Sequence, residues 1–208
     1  MVTAESTRFL LISNALAAGM ALVLRWPLET LLWPYWIQSV IIGWYSRKRV
    51  LALKSFSTDG LTMNGAAVPP TDESLHKIAR FFTLHYGFFH AGYLAFLLNK
   101  GAPLGVWDWL GVGGVAASFA VSHRKSFQQN LQADARGRPN VGVLMFLPYA
   151  RILPMHFTII LGHAIGGNGP VTVLLFSALK TGADVLMHHV NHSALQRGQP
   201  AAQSADAR

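Results

Sequence analysis

Residues 171–192, which read VTVLLFSALKTGADVLMHHVNH, decide the fold of this chain. Their apolar part approaches the ~20 residues that a helix needs to cross ~30 Å of hydrocarbon. Lys180 and Asp184 interrupt the apolar run, and His188 and His192 follow at its end. These four residues follow one another at intervals of four, so they form one stripe along a helix. An ionisable side chain in hydrocarbon is unfavourable and therefore indicates a functional site.

Five further apolar blocks have a similar length. In chain order the six blocks are Phe9–Leu24, Leu28–Tyr45, Phe81–Leu98, Leu104–Val121, Val143–Ile165 and Val171–Met187. Only 12% of the 208 residues are charged, which is about half the share found in soluble domains. We therefore predict an all-α fold, a polytopic transmembrane helical bundle of about six spans.

The distribution of basic residues predicts the orientation. Lys and Arg gather in Tyr45–Arg80 and Ser122–Asn140, whereas the junctions near Lys100 and at Gly166–Pro170 carry almost none. Cytoplasmic loops are rich in Lys and Arg, so we place both rich segments and both termini in the cytoplasm. The predicted location is the cell inner membrane, with multiple spans.

One domain accounts for most of the chain. We predict a single transmembrane helical domain at 1–192, with cytoplasmic loops at about 46–79 and 122–142. Residues 193–208 are polar and are predicted to form a disordered tail. The first block resembles a signal peptide, but Glu5 and the polar pair Ser13–Asn14 argue against that interpretation.

Composition excludes several classes of function. The net charge is +8, yet no recognition motif accompanies it, so nucleic acid is not a predicted partner. The predicted partner is the lipid bilayer, with other membrane proteins or a homo-oligomer as further partners. The chain has no cysteine, so thiolate metal sites and cysteine nucleophiles are excluded.

Helix geometry places many ionisable residues at one depth. At ~1.5 Å per residue, six of them fall in the cytoplasmic half of the bilayer: His85, His123, His156, Lys180, Asp184 and His188. His90 and His163 fall nearer the centre or the outer leaflet. Four helices therefore deliver polar groups to one layer, which predicts a shared site near the cytoplasmic face.

A metal site is the leading hypothesis for this layer. An Asp and a His four residues apart can both reach one ion, and imidazole and carboxylate suit zinc, iron, manganese or copper. The proposed ligands of this divalent transition metal are His85, His156, Asp184 and His188, with His123 as a fifth candidate. The groups expected to orient ligands or substrate are Tyr86, Arg151, Lys180 and Gln38. A bound metal would supply an activated water for hydrolysis, or redox chemistry.

Three alternatives stay open at the level of sequence. The protein can be an accessory subunit of a larger membrane complex, or a transporter of protons or a solute through the same polar residues. In addition, Lys180 and Asp184 can form an i,i+4 ion pair whose only role is to neutralise two charges. Whether the protein is an enzyme is left open.

Four groups of motifs follow one another along the chain. They are Tyr35-Trp36-Ile37-Gln38-Ser39 with Ile42-Gly43-Trp44; Phe82-Thr83-Leu84-His85-Tyr86-Gly87; Ser122-His123 with Ser126-Phe127; and Pro148-Tyr149-Ala150-Arg151 with His156, Gly162, Lys180, Asp184 and His188. In this order, from Leu31 to His192, they resemble an uncharacterised family of prokaryotic polytopic membrane proteins. The resemblance implies the fold and no activity. Gln38 and Ser39 stand where the family element Tyr-Trp-x-Glu-Asn has Glu and Asn, so this chain carries no acid at that position.

Overall fold

The structure, a computed structural model, describes residues 2–100, 103–150, 152–153 and 170–197. Within that range the side chains of 2–7, 100, 170, 172 and 186–197 are not described. Six helices run through the described residues: α1 (Val2–Val23), α2 (Leu28–Leu51), α3 (Asp72–Lys100), α4 (Val106–Asp134), α5 (Val141–Ala150) and α6 (Pro170–Arg197). The prediction of an all-α fold is confirmed.

Helix α2 is the central element of the bundle. It packs against α1, α3, α4 and α6, and α1 also packs against α4 and α6. Its N-terminus follows Pro27, with Glu29 in the first turn, and its last turn carries Lys48 and Arg49. This placement of charges complements the helix dipole. One apolar core, which includes Leu31, Tyr35 and Phe119, surrounds the first half of α2.

Helix α3 begins with a capped first turn and is continuous. The Thr71 Oγ1 accepts a hydrogen bond of 3.3 Å from the backbone N–H of Ser74, which caps the first turn. Asp72 and Glu73 then lie in that turn, where the helix dipole favours acids. The helix extends through the predicted third span without a break.

The connection between α2 and α3 carries a two-stranded hairpin, β1 (Thr62–Met63) and β2 (Ala66–Ala67). Asn64 and Gly65 form its turn with φ of 52° and 81°, the left-handed values that a type I′ turn requires. Hydrogen bonds from Ser57 N to Pro139 O (3.0 Å) and from Val141 N to Ser57 O (2.9 Å) attach this connection to the segment between α4 and α5. We call this part of the molecule the hairpin end.

The helices differ in how strongly they resemble membrane spans. Among the described residues, one helix, Asp72–Asn99, is both long and apolar enough to cross a membrane, and Arg8–Val23 and Val141–Ala150 are shorter apolar helices. Helices α2, α4 and α6 have 24, 29 and 28 residues. Their length would suffice to span, but polar residues lie along them.

Candidate functional site

Five polar side chains from four helices meet inside the bundle, and we call them the buried polar cluster. Its members are Asn14 on α1, Gln38 on α2, His123 on α4, and Lys180 and Asp184 on α6. None of them is more than 8% exposed. Lys and Asp are almost never buried unless they are paired, so the hydrogen bonds within the cluster decide what it can do.

An ion pair on α6 forms the centre of the cluster. Lys180 Nζ lies 2.5 Å from Asp184 Oδ2, as the i,i+4 spacing predicts. The same carboxylate oxygen accepts a hydrogen bond of 3.1 Å from Asn14 Nδ2. Two charges removed from water are unfavourable individually and become tolerable through this mutual contact and the added donor.

Gln38 connects the ion pair to His123. Its Oε1 accepts a hydrogen bond from Lys180 Nζ, so its amide nitrogen points the other way and lies 3.2 Å from His123 Nε2. An amide N–H only donates, so His123 Nε2 must accept. The imidazole is therefore neutral in this arrangement and carries its proton on Nδ1.

Aromatic rings enclose the Lys180 ammonium. Its Nζ lies 4.6 Å from the centre of the Tyr35 ring and 5.5 Å from that of Phe119. Both rings are almost fully buried, at 2% and 0% exposure. The negative faces of the two rings stabilise the cation where water cannot.

Several polar atoms near the ion pair have no hydrogen bond within the described part of the chain. They are Asn14 Oδ1, Tyr35 Oη and Ser177 Oγ, all on buried residues. The Tyr35 and Ser177 hydroxyls are neighbours without reaching hydrogen-bond geometry. Buried polar atoms in proteins almost always bind a partner, so these three atoms extend the polar surroundings of the Lys180–Asp184 pair.

A small cavity lies on the hairpin side of the cluster. It has a volume of about 80 Å³, and its polar lining consists of Tyr45, Ser46, Arg49, His123, Ser126 and Asn130. Arg49 is fixed by two hydrogen bonds to Asp134, from Nε to Oδ2 at 2.6 Å and from Nη2 to Oδ1 at 2.8 Å. His123 belongs both to this lining and to the cluster, and thereby links the two.

A family model matches residues 3–201, nearly the whole chain. The chain belongs to DUF6498, a family of unknown function. This confirms the resemblance to a family without an assigned activity. No curated protein and no solved structure matches the chain.

In this DUF6498 member, four of the predicted site residues come together: Gln38, His123, Lys180 and Asp184. Asn14 was not predicted as a site residue. The signal that could have found it is a polar amide within the first apolar block, which we used only to argue against a signal peptide.

His85 and Tyr86 lie apart from the buried polar cluster. His85 is exposed on α3, with its Nδ1 2.9 Å from Tyr149 Oη and its ring stacked on Phe81 at 5.3 Å. Tyr86 Oη donates a hydrogen bond of 2.9 Å to Ser39 O. These contacts join α3 to α5 and α2, and none of the described contacts of His85 is with the cluster.

The remaining predicted residues of this DUF6498 protein are only partly described. Arg151 and His156 lie outside the described residues, and His188 lies on α6 with its side chain undescribed. Within the described side chains, no three His, Asp or Glu residues are grouped closely enough to hold one metal ion. The predicted ligand set therefore stays a prediction.

Proposed function

We propose that this chain is a multi-pass membrane protein that moves protons through the buried polar cluster. The observation that carries the proposal is a continuous series of hydrogen bonds from the cavity-lining His123 through Gln38 and Lys180 to Asp184. Proton movement through a protein needs groups that bind and release protons, joined by hydrogen bonds. The His123 imidazole, the Lys180 ammonium and the Asp184 carboxylate meet that need. Gln38 joins them because its Oε1 can take a proton from Lys180 as its amide N–H gives one to His123, and the reverse exchange restores the amide.

The distribution of apolar side chains supports placement in a bilayer. Each of the six helices carries at least one large apolar side chain that is more than half exposed: Ile12, Trp44, Phe88, Val121, Phe146 and Leu179. The charged pair Lys180–Asp184 is instead inside. Such surfaces are unfavourable in water, whereas lipid solvates them, and a bilayer requires polar groups to face the interior.

The hairpin end corresponds to the predicted cytoplasmic side. It contains the basic segments that follow Tyr45 and Ser122, and basic loops favour the cytoplasm. The cavity beside His123 then opens toward the cytoplasmic half of the bilayer. Its volume of about 80 Å³ is enough for about two or three waters. Water in the cavity would deliver protons to His123. In this orientation both termini are cytoplasmic and the protein lies in the cell inner membrane.

Proton flux into vesicles tests the proposal directly. We expect vesicles that contain the full chain and a pH-sensitive dye to acidify faster than protein-free vesicles when a potassium diffusion potential drives proton entry. His123→Phe and Gln38→Leu should each reduce that flux by about tenfold or more, since each interrupts the series at one link.

His76→Phe is the matched control for His123→Phe. His76 is an exposed histidine near the start of α3, outside the cluster, so its loss should leave the flux unchanged. The proposal is overturned if wild-type vesicles acidify no faster than protein-free ones. It is also overturned if His123→Phe conducts as well as His76→Phe does.

A metal site is the second candidate, and the continuity of α6 favours it. The helix runs unbroken past His188, so its backbone places Asp184 and His188 on successive turns of one stripe. His123 and His156 would complete a ligand set for zinc, iron, manganese or copper, whereas His85 faces outward beside Tyr149 and is not part of this candidate. Such a site would make a metal-dependent membrane enzyme the function.

Elemental analysis of protein purified without a His-tag tests the metal site. The metal hypothesis predicts close to one transition-metal ion per chain, reduced strongly by His156→Ala and unchanged by His76→Phe. Metal at the level of a mock purification would contradict it. An accessory role in a larger complex, or assembly as a homo-oligomer, stays a further prediction that co-purification would test.

A further inference from the structure

A groove lies on the outer side of α5, where this helix meets the connection that carries the hairpin. Its volume is about 440 Å³, with Asp59 and Leu61 lining it on the connection and Val143, Phe146 and Ala150 lining it on α5. Val143 and Phe146 are 41% and 63% exposed, so the groove opens to the surroundings of the bundle and not to the buried polar cluster. The volume lies within the range of small-molecule sites.

The direction and length of the groove match one leaflet of a bilayer. Asn140 and Asp59 lie together at the hairpin end, where Asn140 Nδ2 donates a hydrogen bond of 2.9 Å to Asp59 O. From Asn140 to Ala150 the chain rises about 15 Å along α5, which is half of the ~30 Å hydrocarbon core. With the hairpin end at the cytoplasmic side, a hydrocarbon chain of the inner leaflet that lies along Phe146 would have its headgroup beside Asp59.

One negative charge stands at the headgroup end of the groove. Among the described residues that line the groove, Asp59 is the one that carries a charge, and it is exposed. Its described hydrogen bonds are made by its backbone, from its N–H to Ser57 Oγ at 3.0 Å and from Asn140 to its carbonyl oxygen. These bonds hold the residue in place and use neither carboxylate oxygen. The carboxylate can therefore accept hydrogen bonds from a ligand in the groove.

A positive charge lies close to this end of the groove. Arg138 is exposed and stands two residues before Asn140. Its Nε donates a hydrogen bond of 3.1 Å to Phe56 O, which holds it beside the connection, three residues before Asp59. A carboxylate binds an ammonium group and a guanidinium binds a phosphate. The acid and the base together are the complement of a headgroup that carries both an ammonium and a phosphate.

We propose that this groove binds a phospholipid with a primary ammonium headgroup, phosphatidylethanolamine. Its ammonium donates to the Asp59 carboxylate, its phosphate faces Arg138, and one acyl chain lies along Phe146 toward Ala150. A phospholipid without an amine would bring its phosphate to the Asp59 carboxylate with no donor to offset the repulsion between them. The inference rests on the bilayer placement proposed above and uses no residue of the buried polar cluster.

Asp59→Asn and Asp72→Asn are a matched pair of variants. Each removes one exposed carboxylate at the hairpin end, so the fold should tolerate either change. Asp59 lines the groove, whereas Asp72 lies in the first turn of α3 and does not line it. Phe146→Ala is the complementary variant, because it shortens the exposed apolar wall of the groove and leaves every charge in place.

Native mass spectrometry of the full chain in detergent, titrated with phospholipids of identical acyl chains, tests the site. We expect phosphatidylethanolamine to bind about fivefold more tightly than phosphatidylcholine, whose quaternary ammonium has no N–H to donate to a carboxylate. Asp59→Asn should abolish this difference, and Asp72→Asn should leave it intact. Phe146→Ala should weaken the binding of both lipids by about threefold or more, since it removes apolar contact with the acyl chain.

Equal affinity of the two lipids for the wild-type protein would overturn the inference, as would a preference that Asp59→Asn retains. Phosphatidylglycerol that binds more tightly than phosphatidylethanolamine, and that Phe146→Ala weakens, would also overturn it, because the basic residues alone would then select the lipid. Failure here is separable from failure of proton flux. Asp59 and Arg138 lie outside the series from His123 to Asp184, and the flux can be measured in phosphatidylcholine vesicles without the amine lipid.

Discussion

Asp184→Asn is expected to destabilise the protein by about 3–5 kcal/mol, the loss typical when one partner of a buried ion pair is removed. Lys180 and Asp184 are 6% and 1% exposed. The change retains the shape of the side chain and a possible hydrogen bond from Asn14, but it leaves the Lys180 ammonium without its counter-charge. Reversible unfolding in mixed micelles, followed by tryptophan fluorescence, would measure the change in unfolding free energy.

The double variant Lys180→Met with Asp184→Asn separates the effect of the unpaired Lys180 charge from the effect of the lost hydrogen bonds. It removes both charges, so it should be more stable than Asp184→Asn alone, with a favourable coupling of about 2 kcal/mol or more. A proton-moving role predicts in addition that this double variant folds and shows no proton flux above that of protein-free vesicles.

The pair Glu73–Lys77 is a matched control with the same spacing. It is an i,i+4 contact of 2.6 Å, but its side chains are 77% and 60% exposed. Glu73→Gln should leave the unfolding midpoint unchanged, since exposed ion pairs contribute little. If Asp184→Asn also leaves the unfolding midpoint unchanged, water reaches the Lys180–Asp184 pair freely, and the pair is not shielded from solvent as its burial indicates.

Asp134→Asn is the second change for which we expect a large loss, again about 3–5 kcal/mol. Asp134 receives two hydrogen bonds from Arg49, at 2.6 and 2.8 Å, and the two side chains are 4% and 9% exposed. The pair joins the ends of α2 and α4 beside the cavity, and a neutral amide cannot balance the guanidinium charge. The same unfolding experiment in mixed micelles would measure the loss.

The geometry of the Arg49–Asp134 pair suggests a sharper version of this experiment. Arg49→Lys keeps the charge but replaces a planar donor of two hydrogen bonds with a single ammonium. It should therefore retain only part of the stability that the Arg49–Asp134 pair contributes. Asp59→Asn is the control, because Asp59 is an exposed carboxylate at the same end of the molecule. An Asp134→Asn variant as stable as Asp59→Asn would show that the pair contributes little.

Helix positions were predictable because apolar blocks and cap residues are local signals. The Thr71 cap with Asp72 and Glu73 in the first turn is such a signal at the start of α3. The hairpin was not predicted, although Asn64–Gly65 is the dipeptide that type I′ turns favour. It was overlooked because its strands are only two residues long and have no alternating pattern of apolar residues.

The candidate site was predictable only within a single helix. The i,i+4 spacing of Lys180 and Asp184 gave their contact correctly, since helical geometry fixes it. Contacts between helices depend on rotation and tilt, which residue spacing does not encode. Depth alone therefore grouped His85 with His123, whereas the structure places His85 on an exposed face beside Tyr149. The hydrogen bond between Asn14 and Asp184 also joins two helices, so it could not be predicted either.

Gln38 has a single carbonyl oxygen, and this limits how much positive charge Lys180 and His123 can carry at the same time. It now accepts from Lys180, while the amide N–H faces His123 Nε2. A doubly protonated His123 would donate from both nitrogens and would require the amide to rotate, which would turn the N–H₂ group toward the Lys180 ammonium. The Gln38 oxygen can therefore accept a hydrogen bond from the Lys180 ammonium or from a protonated His123, but not from both at once. By linkage the antagonism is reciprocal, so this side chain would make protonation of His123 and the hydrogen bond to Lys180 alternate.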